Sequence, residues 1–240
     1  MNKFIKGILI FIGIIIVIFF TTKITGMLQY FTVPTISSEP TVHQHSLCFA
    51  TNLKTAHRSN LISYTNPQLD SIINISLEEK KTGNSFLSRL CAIANDTIQM
   101  KAGIFYVNGN NFDEPLNLYH IYVTSKKYAE QIHGDPDKIN DDPSYLSIIN
   151  DSQAIVNLTK KEVKELPSGI TMQLYISRVD TTERGPFAWC HKNTEWSPDN
   201  FGPLIVPAGC GFVMSDNRNN SLDSRYFGFI KLSAIKGVLF

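Results

Sequence analysis

A charged loop between two apolar runs constrains the fold of this chain more than any other stretch. The loop occupies most of residues 214–228, with Gly211-Phe-Val-Met214 before it and Phe227-Gly-Phe-Ile230 after it. Short apolar runs of this kind are typical of β-strands, and Asp, Asn, Ser and Gly between them are typical of a tight turn. The loop carries two acids and two bases: Asp216, Asp223, Arg218 and Arg225. These four charges are either solvated, as in an ordinary hairpin loop, or paired with one another.

Net charge excludes some partners. The 240 residues include 22 Lys and Arg against 21 Asp and Glu, which leaves the chain near neutrality. A chain without a basic surplus has no electrostatic footprint for nucleic acid, so we expect no nucleic-acid partner. The length allows one membrane anchor and one packed domain of about 200 residues.

Cysteine spacing argues against a zinc ribbon and a thioredoxin-like motif, because no CxxC occurs. The cysteines are Cys48, Cys91, Cys190 and Cys210. In an oxidising compartment they allow up to two disulfides, and the sequence leaves the pairing open.

Residues 7–22 form an uncharged run of mostly Ile, Leu, Val and Phe, flanked by Lys6 and Lys23. As a helix the run is about 24 Å long, a little short of the ~30 Å hydrocarbon layer, and snorkelling lysines extend it. We predict an uncleaved transmembrane anchor. The alternative, a cleavable signal peptide, lacks an A-x-A-like site, since the run ends in Phe-Phe-Thr-Thr-Lys.

Positive charge is weighted toward the N-terminal side of the anchor, where Lys3 and Lys6 lie. This asymmetry favours a short cytoplasmic tail at residues 1–6 and an extracytoplasmic domain at residues 32–240. The predicted localisation is therefore single-pass in the cell (inner) membrane.

Short apolar runs with turn residues between them predict a mostly β domain, barrel-like or built on a folded sheet. The predicted strands are 46–50, 60–64, 71–76, 85–93, two within 97–107, 119–123 and 170–179. Residues 112–198 are more polar, and we interpret them as an inserted α+β subdomain. In that stretch, Thr159-Lys-Lys-Glu162 predicts a capping box that starts a short helix through Leu166.

Four segments resemble, in order, the signal peptidase I family of membrane-bound serine endopeptidases. Pro34-Thr-Ile-Ser-Ser-Glu-Pro-Thr41 resembles the nucleophile motif P-S-x-S-M-x-P-T. Residues 88–96 resemble K-R-V-I-G-x-P-G-D, and residues 199–207 resemble the linker that precedes the last block. Residues 215–228 resemble the closing block G-D-N-R-x-x-S-x-D-S-R-x-x-G. The resemblance covers both ends of the outer domain and little of residues 112–198.

The resemblance implies a signal-peptidase fold and removal of signal peptides from exported preproteins after A-x-A-like sites. The implied partners are those signal peptides, the lipid bilayer and the secretion machinery. No cofactor is implied, because family members activate a serine with a lysine. That lysine must be neutral to accept the proton of the serine, and desolvation lowers its pKa toward the working pH.

The resemblance also assigns roles to single residues. Ser37 matches the nucleophile, Thr35 a hydroxyl of the oxyanion hole, and Ser221 a serine that orients the catalytic lysine. Phe86 and Leu87 match residues that line the substrate pockets. Structural roles fall to Arg89, Asp216, Asn217, Arg218, Asp223 and Arg225, with Asp223 pairing with Arg225 or Arg89.

The sequence departs from the family at the catalytic lysine, whose position holds Ser88. A neutral serine is no general base, and Ser215 replaces the glycine expected close to that lysine. This pair of changes is consistent with a filled, non-catalytic pocket. His43 and His45 follow the nucleophile position and are alternative bases, although the histidine of the family's eukaryotic relatives occupies the lysine position instead. We expect no metal site formed by both with Cys48, because Cys48 points to the other face of a regular strand.

Three hypotheses follow. The first is a membrane-anchored signal-peptide endopeptidase that uses an altered base or the lysine of a partner. The second is a catalytically silent paralogue that binds signal peptides or a secretion partner. The third, from fold alone, is conjugation-linked pilin maturation.

Overall fold

The computed structural model describes residues 3–77, 82–133, 146–176 and 196–240. Its helices are α1 (Lys3–Ile24), α2 (Pro67–Leu77), α3 (Lys126–His133), α4 (Lys160–Glu165) and α5 (Ser224–Phe227). Short 3-10 helices span Ile36–Ser38 and Leu232–Ala234. The strands are β1 (Gln29–Thr32), β2 (Leu47–Thr51), β3 (Leu61–Tyr64), β4 (Phe86–Ile93), β5 (Thr97–Lys101), β6 (Ile104–Val107), β7 (Asn110–Asn111), β8 (Tyr119–Ser125), β9 (Leu146–Ile148), β10 (Gln153–Thr159), β11 (Gln173–Leu174), β12 (Phe201–Ile205), β13 (Cys210–Met214), β14 (Ile230–Lys231) and β15 (Ile235–Leu239).

Helix α1 is long and apolar enough, over Phe4–Ile24, to cross a membrane. Its apolar side chains are exposed along most of its length and pack on little of the protein. A continuous apolar surface of this size is unfavourable in water, so it requires a lipid or protein environment. The helix extends beyond the predicted residues 7–22 at both ends, since lysine is a good helix former.

A seven-stranded antiparallel sheet forms the main body, in the order β1-β2-β15-β3-β4-β13-β14. The core beneath its centre contains Ile62 of β3, Leu90 of β4, Val213 of β13 and Val238 of β15. Strand β4 lies between β3 and β13, so strands that are far apart in the sequence pair with its two edges. This arrangement brings the closing loop after β13 next to residue 88.

A second sheet, in the order β12-β5-β6-β7, covers another part of the core. Phe105, Phe201 and Phe212 pack together there, with ring centroids of Phe105 and Phe212 5.4 Å apart. Aromatic burial of this kind contributes much of the stability of a small core.

The third sheet, in the order β11-β8-β10-β9, lies in the stretch predicted as an α+β insertion and packs with α3 and α4. The predicted capping box is confirmed. The Thr159 hydroxyl accepts from the backbone of Glu162, and the Glu162 carboxylate accepts from the backbone of Thr159. Helix α4 ends at Glu165, one residue before the predicted end.

The mostly β prediction is confirmed, and the predicted strand at 71–76 is wrong. That stretch belongs to α2, which begins at Pro67 with the Asn66 side chain accepting from the backbone of Gln68. Asn at the N-cap and Pro at the first helical position are start signals that outweigh the short isoleucine run. The predicted strand at 170–179 shortens to Gln173–Leu174 in its described part, and residues 177–179 lie outside the described residues.

Candidate active site

Ser37 lies in the 3-10 turn Ile36–Ser38, and its hydroxyl is 2.9 Å from the hydroxyl of Thr35. Either oxygen can donate this bond. Thr35 itself has extended backbone angles and does not cap the turn with its side chain. Its hydroxyl is therefore available to Ser37 and to anything bound there. The structure thus brings together the two residues that the sequence assigned to nucleophile and oxyanion hole.

Asn217 fixes the backbone of this turn through two hydrogen bonds. Its N–H donates to the Ser37 carbonyl at 3.0 Å, and its Nδ2 donates to the Ile36 carbonyl at 3.3 Å. Asn217 is fully buried, and its Oδ1 accepts from Nδ2 of Asn157 in β10 at 3.4 Å. The turn that carries Ser37 is therefore fixed by the closing loop and, through it, by the third sheet.

Ser88 points into the protein interior, where its hydroxyl lies 3.4 Å from Ser215 Oγ and 3.3 Å from Tyr64 Oη. All three residues are buried. Burial raises the pKa of Tyr64, the hydrogen bond to Ser88 opposes this, and nearby Asp223 raises it further. Tyr64 consequently stays protonated and supplies no base. The position of the family lysine holds a chain of three neutral hydroxyl groups.

Asp223 organises the far end of the closing loop. Its carboxylate accepts from the backbone of Ser215 at 3.1 Å and from the Ser221 hydroxyl at 3.3 Å. It also accepts from Arg225 Nε and Nη2, each at 2.9 Å, so the predicted arginine partner is Arg225 and not Arg89. Burial lowers the pKa of Arg225, but Asp223 raises it by more, so the guanidinium stays charged.

Arg89 pairs with Asp216 instead. Its guanidinium donates to both Asp216 oxygens and, at 2.6 Å, to the carbonyl of Ser59. Thr41, at the end of the nucleophile segment, donates to the same carboxylate. Burial lowers the pKa of Arg89, and Asp216 raises it by more. This network ties the nucleophile segment to β4 beside Ser88.

Arg218 forms the third buried ion pair, with Asp113. Its two terminal nitrogens donate to the Asp113 oxygens at 3.0 Å and 2.6 Å. Asp113 also accepts from the backbone of Phe105 at 3.0 Å, which fixes the loop after β7. With these pairs, the alternative of a solvated hairpin loop is wrong, because all four loop charges are buried and paired.

Phe86 and Leu87 are half-buried on β4, opposite Tyr64 and Ser63 of β3. Strand β13 pairs with β4 only from Arg89 onward. Within the part of the chain that the structure describes, the other edge of β4 at residues 86–88 therefore has no strand beside it. An open edge of this kind accepts an extended peptide as an additional strand.

Neither His43 nor His45 forms a hydrogen bond with the Ser37 side chain within the residues that the structure describes. In the described part of the chain, the Ser37 hydroxyl bonds to Thr35 and to no lysine or histidine. His43 is largely exposed, with Nδ1 3.8 Å from Glu39, and His45 is exposed in a left-handed turn conformation. Among the described residues no cluster of three or more His, Cys, Asp or Glu side chains could hold a metal.

Cys48, Cys91 and Cys210 are free thiols, and Cys190 lies outside the described residues. Cys91 is fully buried, and burial is the main factor that raises its pKa to about 12. Such a thiol is unreactive, so Cys91 has a packing role.

Three contacts of this site escaped the sequence interpretation: Tyr64 on Ser88, Asn157 on Asn217, and Asp113 on Arg218. Each joins a residue of a quoted motif to a partner that lies outside the motifs and is 24, 60 or 105 positions away. Only the strand order and register bring the two residues of each pair together, and no local sequence pattern predicts the pairs.

Comparison with known proteins gives a consistent family. Residues 2–240 match the family described as "Signal peptidase, peptidase S26". The chain is 26% identical over 221 residues to "Signal peptidase I" of Aquifex aeolicus, which covers 88% of this chain and 74% of that relative. It is 29% identical over 151 residues to "Signal peptidase I U" of Bacillus subtilis, or 63% of this chain and 45% of that relative.

A shorter match, 56% identical over 36 residues, links the chain to "Signal peptidase I" of Bacillus caldolyticus and covers 15% of this chain and 20% of that relative. A solved signal peptidase I from Enterococcus faecalis aligns with a TM-score of 0.35 at 19% identity, over 78% of this chain and 98% of that one.

Proposed function

The chain belongs to the signal peptidase family, peptidase S26, and from this membership we propose that it acts on the signal peptides of exported preproteins at the cell membrane. The proposed activity is that of a membrane-anchored serine endopeptidase that cuts after A-x-A-like sites. The observation that carries it is the Thr35–Ser37 hydroxyl pair at 2.9 Å on a turn held by Asn217.

The open edge of β4 supplies the binding half of this proposal. A signal peptide in extended form adds beside residues 86–88, where Phe86 and Leu87 border the small side chains that precede the cut. The segment Ser215–Asn217 contacts Ser88 at one end and the carbonyl of Ser37 at the other. A peptide on that edge therefore runs toward the nucleophile turn.

The reaction requires an acceptor for one proton. Ser37 Oγ attacks the scissile carbonyl, its proton passes to a base, and the base returns a proton to the leaving amine; water then releases the acyl group. The Thr35 hydroxyl, with the N–H of Ser37, stabilises the oxyanion. Ser88 supplies no base, and loss of a base costs on the order of 10²–10⁴ in rate. In this proposal the proton acceptor is the lysine of a partner or another altered base.

A second candidate function is a catalytically silent paralogue that binds signal peptides or a secretion partner without cutting. The contact of Ser88 with Ser215 at 3.4 Å, closed by Tyr64, favours it. In this candidate Ser221 and Asp223 keep the loop folded and orient no lysine. Both candidates share the same peptide-binding edge.

Membrane topology is part of the same proposal. Residues 1–6 form the cytoplasmic tail, residues 7–22 lie in the bilayer, and residues 32–240 face the extracytoplasmic side. The lysine asymmetry around α1 supports this orientation.

The test is cleavage of a preprotein with an A-x-A site by the full chain in detergent. Wild type is compared with Ser37→Ala, Ser88→Lys and the control Ser71→Ala, whose exposed hydroxyl donates only to the Pro67 carbonyl of its own helix. Wild-type cleavage that Ser37→Ala abolishes supports the endopeptidase and rejects the silent paralogue. Retention of a signal peptide without cleavage, both by the isolated chain and in whole membranes that contain its partners, supports the silent paralogue. Failure to bind or cut the preprotein contradicts both.

A further inference from the structure

A small solvent-open pocket lies beside the end of the anchor helix, on the side of the main sheet formed by β2 and β15. Asn52 and Lys54 border it on one side, and Leu232, Ile235 and Lys236 border it on the other. It is separate from the candidate active site, whose residues lie on the turn that carries Ser37, on β4 and on the closing loop. The pocket lining therefore combines two cationic side chains with the apolar side chains of Leu232 and Ile235.

The charged side chains around this pocket are all basic. The three segments that build this face, 24–32, 47–60 and 228–240, contain no Asp or Glu. Lys54 and Lys236 are exposed, and neither forms an ion pair with an Asp or Glu side chain in the described part of the chain. Lys54 Nζ instead lies 5.4 Å from the centre of the Phe240 ring. Two unpaired ammonium groups at one pocket favour an anionic ligand.

The pocket is tied directly to the first residues after the anchor. Helix α1 ends at Ile24, and Asn52 donates from its side chain to the Thr25 carbonyl at 2.8 Å and from its backbone to the Gly26 carbonyl at 3.2 Å. On the other side, the Gln29 side chain donates to the Lys236 carbonyl at 2.6 Å. With α1 in a bilayer, both walls of the pocket therefore lie at headgroup depth.

A row of exposed aromatic rings connects the anchor to the same pocket. Tyr30 stacks on Phe19 of α1 with ring centroids 6.4 Å apart, and its hydroxyl accepts from Lys23 at 2.9 Å. Tyr30 is the strand partner of Phe49, and Phe49 lies 6.4 Å from Phe240. Tyr30, Phe49 and Phe240 remain 43%, 41% and 67% exposed. Aromatic side chains in this position are typical of the interface between hydrocarbon and headgroups.

We propose that this pocket binds the headgroup phosphate of an anionic phospholipid. Lys54 and Lys236 pair with the phosphate, the Asn52 side chain borders it, and Phe49 and Phe240 contact the glycerol and the upper acyl chains. The inference rests on the membrane anchoring in the proposed function and adds a ligand to it. A zwitterionic lipid neutralises its own phosphate, and free phosphate lacks the acyl chains that meet the aromatic row.

The test uses the full chain, purified in an uncharged detergent and exchanged into each lipid. Native mass spectrometry counts retained dioleoylphosphatidylglycerol against dioleoylphosphatidylcholine, and inorganic phosphate is assayed by the shift in melting temperature. We expect one phosphatidylglycerol retained per chain. Each of Lys54→Gln and Lys236→Gln lowers its affinity about fivefold, in line with the usual contribution of one basic residue near an anionic surface.

The matched control is Lys101→Gln, because Lys101 also lies over an aromatic ring, that of Tyr106 at 5.5 Å, and is remote from the pocket. Equal retention of both lipids, or unchanged retention in the Lys54→Gln/Lys236→Gln double variant, overturns the proposal. The melting temperature is also measured with phosphatidylglycerol. If inorganic phosphate raises the melting temperature as much as phosphatidylglycerol does, the proposal is overturned, since the site is then a free-phosphate site.

Flotation of the same chain with phosphatidylcholine vesicles, after an alkaline wash, reports on the anchor alone. A chain that floats but ignores phosphatidylglycerol contradicts the pocket proposal and leaves the anchor intact. A chain that fails to float contradicts the anchoring on which both proposals rest.

Discussion

The hydroxyl of Ser88 lies 3.4 Å from that of Ser215, across the junction between β4 and the loop after β13. The hydroxyl of Tyr64 also lies against Ser88, with Tyr64 Oη 3.3 Å from Ser88 Oγ. The family motif pairs a lysine with a glycine at these two positions. The space that a lysine side chain needs is therefore occupied by two small groups and a buried phenol.

Because of this contact, we expect that restoring the lysine at position 88 without also changing Ser215 recovers only part of the cleavage rate. We expect Ser88→Lys/Ser215→Gly to cleave a preprotein at least about 10²-fold faster than wild type, because a positioned base contributes roughly 10²–10⁴. Ser88→Lys alone gains less, since Ser215 crowds the new side chain. The measurement is the single-turnover cleavage rate, with melting temperature followed in parallel.

Two controls complete this experiment. Ser215→Gly alone adds no base and leaves the rate at the wild-type level. Adding Ser37→Ala to the double variant removes the gain if Ser37 is the nucleophile. A gain that survives Ser37→Ala assigns the reaction to another residue and contradicts the proposed site.

The closing loop was the part of this site that the sequence predicted best. Its charges had to be solvated or paired, and the family resemblance already made Arg225 one of two candidate partners of Asp223, with Arg89 as the other. The partner of Arg218 was beyond prediction, because Asp113 lies 105 positions away and carries no motif. The α2 error has a different cause, since an isoleucine run has strand propensity while Asn66 and Pro67 start a helix.

The buried pair of Arg218 and Asp113 predicts a large loss of stability. Asp113→Ala leaves a guanidinium buried without its partner, and removing one member of such a pair typically costs about 3–5 kcal/mol. Denaturant unfolding of the full chain in detergent measures the free energy of unfolding. Glu130→Ala is the control, because its pair with Lys126 is exposed and spans 3.9 Å, so we expect a change below about 1 kcal/mol.

Asp113→Ala/Arg218→Met extends this test. We expect the double variant to lose less stability than Asp113→Ala, because methionine leaves no buried charge. If the double variant is less stable than the single one, the cost does not come from the unpaired guanidinium.

Asn157 predicts a link between the third sheet and the nucleophile turn. Its amide fixes Asn217 Oδ1, which leaves Asn217 Nδ2 directed at the Ile36 carbonyl. Asn157→Leu removes that donor, so we expect the Asn217 N–H, which bonds to Ser37, to exchange with solvent roughly 2–10-fold faster. The estimate corresponds to one hydrogen bond of about 0.5–1.5 kcal/mol.

Hydrogen–deuterium exchange of the peptide that contains Asn217 measures this effect. The matched control is Asn110→Leu, on the exposed strand β7, where exchange at Asn217 stays at the wild-type rate. Faster exchange throughout the chain in Asn157→Leu reports general destabilisation and speaks against a specific link.

His120 predicts that the domain loses stability in mild acid. It is 8% exposed on β8, with its ring 6.5 Å from that of Tyr122. Burial, and to a lesser degree the charges of Arg218 and Arg225, lower its pKa from 6.5 to about 3. Below pH 6.5 His120 therefore becomes protonated in the unfolded chain, whereas in the folded chain it stays neutral until about pH 3.

The sign follows from linkage: stability is full above pH 6.5 and falls as the pH drops toward 3. The slope is at most about 1.4 kcal/mol per pH unit, or about 2 kcal/mol between pH 7 and pH 5. Denaturant midpoints of wild type and His120→Gln at these two pH values isolate this contribution from that of the carboxylates. We expect His120→Gln to lose about 2 kcal/mol less than wild type over that interval.

His57→Gln, at an exposed position, keeps the wild-type dependence of stability on pH. Equal pH dependence in wild type and His120→Gln would mean that His120 is protonated in the folded protein, and that the two arginines do not repel its charge.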